Sequence, residues 1–117
     1  MSDTIILEYR SKSRNEIDKY HWAQKGLLKK QYGLIVRNKM RINGIKMALG
    51  SHKFKLLINC NRKRSLDYDN VVGGLKQLID ALVCERFIFD DDPDSVEMHI
   101  TQTKNKKEFI EITRILK

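Results

Sequence analysis

The chain alternates between short apolar runs and longer stretches in which apolar residues recur at helical spacing. Short runs rich in β-branched and aromatic residues are typical of strands, whereas apolar residues three or four positions apart are typical of amphipathic helices. In chain order the pattern predicts a strand at 4–9, a helix at 13–41, a strand at 53–58, a helix at 70–85, and strands at 96–103 and 108–116. We therefore expect an α+β fold in the order β-α-β-α-β-β, with a mixed sheet and two helices on one face.

Helix starts, buried stripes and turns support these predictions. Ser13 is followed three residues later by Glu16, which is a capping-box pattern. The polar run from Lys104 to Lys107 favours an exposed hairpin loop. The residues expected to face the core are Tyr20, Ala23, Leu27 and Leu28 in the first helix and Val72, Leu75, Leu78, Ile79, Leu82 and Val83 in the second.

Length and composition narrow the class of protein. A chain of 117 residues forms one domain, 1–117, and its longest apolar runs fall far short of the roughly 20 residues that span a bilayer. The N-terminus does not resemble a secretory signal, so a cytoplasmic protein without membrane partners is expected. Cys60 and Cys84 form no CxxC pair, which favours two reduced thiols over a disulfide framework or a zinc site.

The net charge of +8 is unevenly distributed. Residues 1–66 hold sixteen Lys and Arg against four acids, whereas residues 67–117 hold seven against eleven, and nine of those eleven acids lie between Asp67 and Glu97. A basic surface attracts polyanions, and a compact acidic cluster would repel the same polyanion unless a cation lay between them. The charge pattern therefore predicts a metal-dependent enzyme acting on nucleic acid, although solvated lysine-rich faces are a common alternative.

The acids fall into two groups that could converge on a cation. Asp67 and Asp69 follow the second predicted strand, and in extended backbone both side chains would point to one side. On a helix continuous from Asp69, Lys76 would lie between Asp69 and Asp80 beside the buried stripe. The second group, at 90–94, would have to fold back towards the first. Taken singly, the first group is also typical of a turn and helix cap, and the second of a solvated loop.

Convergent carboxylates favour Mg²⁺ or Mn²⁺, and such a metal suits phosphodiester cleavage because it activates water and screens phosphate charge. Lys76 would then contact the scissile phosphate or the leaving oxygen. No catalytic triad is indicated, since His21, His52 and His99 are scattered along the chain without a spacing pattern. The basic residues expected to contact DNA are Arg62, Lys63 and Arg64 after the second strand and Lys25, Lys29 and Lys30 on the first helix.

The order of these residues resembles the RusA-type Holliday junction resolvases of bacteria and their phages, including a Gly-Gly variant common in phages. The matching stretches are Asp67-x-Asp69-Asn70, Gly73-Gly74, Lys76-x-x-x-Asp80-Ala81-Leu82, an apolar triplet before Asp90-Asp91, and the upstream His21-Trp22-Ala23-Gln24-Lys25. The resemblance implies a Mg²⁺-dependent homodimer in a bacterial or phage-infected cell that nicks opposed strands of four-way DNA junctions. It implies metal-binding catalytic roles for Asp67, Asp69 and Asp91, a catalytic role for Lys76, and less defined metal-site roles for Asp80 and Asp90.

Two other functions stay open at this point. One is a non-catalytic nucleic-acid-binding module whose acids only cap helices and tune charge. The other is a related nuclease that cuts forks or flaps, because the same chemistry serves those substrates.

Overall fold

A computed structural model describes residues 2–117. Its elements are β1 (Ser2–Leu7), α1 (Arg14–Asp18), α2 (Trp22–Ile42), β2 (Phe54–Arg62), α3 (Tyr68–Gly73), α4 (Lys76–Cys84), β3 (Val96–Lys104) and β4 (Phe109–Leu116). The α+β class with a mixed sheet is confirmed. The predicted order is not, because each predicted helix is two helices. Among the described helices, none combines the length and the apolar character that crossing a membrane requires.

The four strands form one sheet in the order β1-β4-β2-β3, in which β3 runs parallel to β2 and the other neighbouring pairs are antiparallel. Ile112 pairs with Ile5 on one side and with Ile58 on the other, and all three are buried on the same face. The opposite face carries partly exposed polar residues, among them Asn59, whose side-chain amide donates to the Thr101 hydroxyl at 2.7 Å. The parallel pairing obliges the chain between β2 and β3 to return across the sheet. That return contains every predicted catalytic residue.

The first predicted helix divides because two separate N-caps start two helices. Ser13 and Glu16 form the predicted capping box at α1. His21 then caps α2 by accepting the Ala23 amide on Nδ1 at 3.3 Å. The buried face of α2 consists of Leu28, Tyr32, Gly33, Val36 and Met40. Two of the predicted core positions were therefore wrong, since Ala23 and Leu27 lie on other sides of the helix and are exposed.

The second predicted helix is interrupted at Gly74 and Leu75, between α3 and α4. The helix α4 ends at Cys84, and two residues later Arg86 has a left-handed φ of 59°. The Phe87 amide donates to the Leu82 carbonyl at 2.9 Å and the Arg86 amide to the Val83 carbonyl at 3.1 Å, which together make a Schellman motif. Glycine is usual at that position, but here the Arg86 side chain donates to the Phe89 carbonyl at 2.7 Å. The turn buries Phe87 and Ile88 and leads the chain into the acidic loop, residues 90–94.

Candidate metal and nucleic-acid site

Asp67 and Asp69 lie at the N-terminus of α3. Asp67 occupies the N-cap position, but its carboxylate makes no capping hydrogen bond, and the Asn70 amide donates to the Asp67 backbone carbonyl instead. Asp69 lies in the first turn, so the predicted extended backbone across both residues is not found. Both are exposed, and neither carboxylate is paired with any residue between 2 and 117. Their oxygens are therefore accessible to a ligand rather than used to cap the helix.

Lys76 and Asp80 face each other one turn apart on α4. Lys76 Nζ lies 3.4 Å from Asp80 Oδ2, and the two side chains are 72% and 33% exposed. The predicted stripe of Asp69, Lys76 and Asp80 needed one uninterrupted helix, and the break before Lys76 separates Asp69 from the other two. A surface pair of this kind contributes little to stability, so its ammonium group is free to exchange partners.

The acidic loop uses some of its carboxylates to hold its own shape. Asp90 Oδ1 accepts the Asp91 amide at 2.7 Å, and Asp92 Oδ1 accepts the Ser95 amide at 2.8 Å. The Ser95 amide also lowers the pKa of the Asp92 carboxyl. Asp91 is exposed, and its carboxylate has no hydrogen-bond partner in the described chain. Asp91 therefore combines a position in the resolvase-like motif with carboxylate oxygens that accept no hydrogen bond from residues 2–117.

The two acidic segments are anchored at different points along β3. Leu66, just before Asp67, donates its amide to Gln102 Oε1 at 3.0 Å and accepts from Gln102 Nε2 at 2.6 Å. The acidic loop is anchored where the Val96 amide donates to the Asp92 carbonyl at 3.0 Å. Six residues of strand separate these anchors, which corresponds to roughly 20 Å. Over residues 2–117 no three His, Cys, Asp or Glu side chains are close enough to hold a metal together.

The predicted DNA-binding role of Arg62 does not fit its environment. Arg62 is only 5% exposed, and its guanidinium donates to the Ser11 carbonyl and, at 3.2 Å, to the Arg64 carbonyl. Burial lowers the pKa of this guanidinium. Arginine as a residue type suggested a surface contact. Side chains along β2 alternate between the two faces of the sheet, however, and Arg62 lies on the buried face. Lys63 and Arg64 are exposed.

The predicted lysines of α2 lie at a groove between α2 and α4. Lys29 and Lys30 line this groove of about 600 Å³, whose floor includes Gly33. Across it Arg37 Nε donates to Glu85 Oε1 at 2.8 Å. Lys25 lies one turn earlier, partly buried. These residues are not at the end of β2 where Lys63 and Arg64 are found.

The lysines of the β3–β4 turn were predicted only as part of an exposed hairpin loop. Lys104, Lys106 and Lys107 are all exposed, and Lys104 and Lys106 line one depression with Lys63. Their run of positive charge was visible in the sequence, but only the pairing of β2 with β3, which sets Arg62 opposite Lys104, places them next to residues 63 and 64.

No protein-family model matches this chain, and no significant match was found among curated proteins. The resemblance of the Asp67 to Asp91 segment to RusA-type resolvases therefore stays a prediction.

Proposed function

We propose that this protein is a Mg²⁺- or Mn²⁺-dependent endonuclease that resolves four-way DNA junctions by paired nicks, in recombination and repair. The observation that carries the proposal is the ordered motif from Asp67 to Asp91, with two neighbouring carboxylates, Asp67 and Asp69, exposed and unpaired at the start of α3. An aspartate at an N-cap ordinarily bonds the helix amides. Here that bond is not made, which leaves the oxygens available.

The donor set fits a hard divalent cation in part. Mg²⁺ keeps several waters and is commonly held by one or two carboxylates together with substrate phosphates. Asp67 and Asp69 supply that minimum. Asp91, anchored on another part of β3, would complete the set only after the acidic loop moved towards α3. Because like charges repel, carboxylates gather at one point only when a cation offsets that repulsion.

In this proposal the remaining residues act on the phosphate. The metal, when bound, would activate a water and screen the phosphate charge. Lys76 would exchange its Asp80 partner for a phosphate or leaving-group oxygen, for which its 72% exposed side chain is accessible. Asp80 would keep the ammonium group on the correct side of α4 before DNA binds.

A homodimer belongs to the same proposal. A two-fold dimer presents two equivalent sites, and a four-way junction has two equivalent strands to cut. Light scattering on the purified protein tests this part separately from the chemistry, and a monomer at all concentrations would contradict it.

Two observations favour a second function, a non-catalytic nucleic-acid-binding module. The described carboxylates form no group of three, and Asp92 serves to shape its own loop. Under this function Mg²⁺ changes nothing measurable, and substitutions of Lys63 and Arg64 affect the protein more than those of the aspartates.

The deciding experiment incubates the protein with a labelled four-way junction, a fork and a linear duplex, with Mg²⁺ or with EDTA. We expect symmetric, metal-dependent nicking of the junction. Asp91→Asn should abolish cleavage while junction binding persists, whereas Asp94→Asn, an exposed acid of the same loop outside the motif, should cleave normally. Preferential cutting of the fork would identify the fork or flap nuclease. Tight binding without cleavage under any metal would identify the binding module.

A further inference from the structure

Five cationic residues lie at one end of the sheet. Lys63 and Arg64 follow β2, and Lys104, Lys106 and Lys107 form the β3–β4 turn. We call these five residues the hairpin cluster. All are exposed, and none forms an ion pair with a residue that the structure describes. Lys63, Lys104 and Lys106, with Asn105, line a depression of about 290 Å³.

The backbone beneath the hairpin cluster is held in place by hydrogen bonds. The Asn105 amide donates to the Arg62 carbonyl at 2.9 Å, and the Asn105 side chain donates to Asn61 Oδ1 at 3.3 Å. Asn105 Oδ1 in turn accepts the Lys107 amide at 3.2 Å. The buried Arg62 fixes the Arg64 carbonyl from below. These bonds keep the like charges together, although their mutual repulsion would favour separation.

Acids close to the hairpin cluster offset only part of its charge, since Glu8 lines a groove with Lys107 without forming an ion pair with it. The nearest acidic residue in sequence is Glu108, and its Oε2 accepts the Lys63 backbone amide at 3.2 Å rather than an ammonium group. A concave, preorganised group of cations whose charge is only partly offset favours a polyanion, because binding releases the polyanion's counterions. Extended phosphate backbones fit it better than single anions, since Lys63, Lys104 and Lys106 line one depression and Lys107 lines another groove.

The position of the hairpin cluster relates it to the proposed metal ligands. Gln102, whose side chain bonds the backbone of Leu66 immediately before Asp67, lies two residues before Lys104 on the same strand. A DNA strand lying on the hairpin cluster would therefore pass close to the start of α3. The lysines of α2 have no comparable connection to Asp67 in the described contacts.

We infer that the hairpin cluster is the surface that binds the sugar-phosphate backbone of the DNA and directs it towards Asp67 and Asp69, in place of Lys25, Lys29 and Lys30. The choice of DNA as the polyanion rests on the proposed function. The location of the binding surface rests on the cluster alone.

The test measures binding without catalysis. Affinity for a labelled four-way junction is measured by fluorescence anisotropy in EDTA at several salt concentrations, for the wild type, for K104Q/K106Q/K107Q and for the matched control K25Q/K29Q/K30Q. Both variants lose three charges, so any effect of net charge alone is the same in each. We expect the hairpin variant to bind more weakly and its plot of log K against log salt to be shallower by about 0.9 for each lost phosphate contact, with the control close to wild type.

Three results would overturn the inference: no measurable junction binding by the wild type, equal losses in both variants, or an unchanged affinity and slope in the hairpin variant. Thermal melts check that each variant folds. K104R/K106R/K107R keeps the three positive charges and should bind the junction like the wild type. The outcome is separate from that of the cleavage assay. A protein that never cuts DNA but shows the expected difference would fail as a nuclease and keep this binding surface.

Discussion

Gly74 packs directly against the backbone of Lys12. A Cβ on Gly74 would lie 2.6 Å from the Lys12 carbonyl carbon and closer still to its oxygen, which real structures do not allow. The residue has ordinary right-handed helical angles, so the need for glycine comes from contact and not from backbone conformation. The join between α3 and α4 is thereby fixed against the segment that leads into α1.

Replacing Gly74 by alanine should therefore destabilise the protein. The clash is with backbone, which cannot rotate away, and overpacking of this kind costs about 1–3 kcal/mol or more in the free energy of unfolding. Gly26→Ala is the matched control, because its Cβ would meet nothing within 4 Å on exposed α2. That change should stabilise by ~0.5–1 kcal/mol, since alanine favours a helix interior. Urea unfolding of both variants measures these changes in the free energy of unfolding. No change in Gly74→Ala would contradict the close contact between Gly74 and Lys12.

Arg62→Met should lower stability, while Lys63→Met and Arg64→Met should not. The first change leaves the carbonyl of the buried Ser11 and the carbonyl of Arg64 without their donor, a loss of about 1–3 kcal/mol. The other two are exposed, and surface changes usually stay within about 0.5 kcal/mol. Thermal or urea denaturation separates the three. If Arg62→Met left the free energy of unfolding unchanged, the hydrogen bonds of Arg62 would contribute nothing to stability.

Lys76→Met is expected to reduce junction cleavage by at least about 100-fold, as the loss of a group that stabilises transition-state charge does. Its stability should change by no more than about 0.5 kcal/mol, because the exposed pair with Asp80 is weak. Cleavage rates at saturating Mg²⁺ and a thermal melt measure the two effects. Unimpaired cleavage by Lys76→Met would show that Lys76 has no catalytic role.

Divalent metal should draw the acidic loop towards α3. Spin labels placed on Ser65→Cys and Asp94→Cys, both exposed positions, in a Cys84→Ser background would report the distance between the segments. We expect a shorter distance with Mg²⁺ and junction DNA than with EDTA. The same labels in an Asp67→Asn/Asp91→Asn protein should show no change. An unaltered distance in the labelled parent would contradict convergence of these acids on one cation.

Glu97 should titrate far below an ordinary glutamate. Hydrogen bonds from His99, at 2.6 Å, and from Lys117, at 2.9 Å, lower its pKa from 4.5 to about 2. Because the folded pKa is depressed, any stability from this cluster is present above the ordinary value and is lost as the pH falls from 4.5 towards 2. NMR titration of the Glu97 carboxyl measures this pKa. His99→Ala should raise the pKa part of the way towards that of an ordinary glutamate. A wild-type value near 4.5 would show that the cluster does not form.

Local features of the sequence predicted much of the fold. Short runs rich in β-branched and aromatic residues located all four strands, and Ser13 with Glu16 gave the cap of α1, because these signals act over a few residues. The strand at 53–58 nonetheless continues to Arg62, since pairing with both β3 and β4 extends it. The predicted helices divide at His21, which caps α2, and at Gly74, which packs against the Lys12 backbone. The spacing of apolar residues does not reveal contacts of these kinds.

The sequence by itself determined the α+β class, the order of the acids and the excess of positive charge, since each depends only on residue type and spacing. The tertiary structure decided which of those residues are available and which are neighbours. It buried Arg62, left Asp67 without a capping bond, and placed Lys63 beside a turn forty residues later in the chain. It also anchored the two acidic segments at different points on β3. The physical reason is that strand pairing and side-chain burial are long-range contacts, which no local pattern specifies.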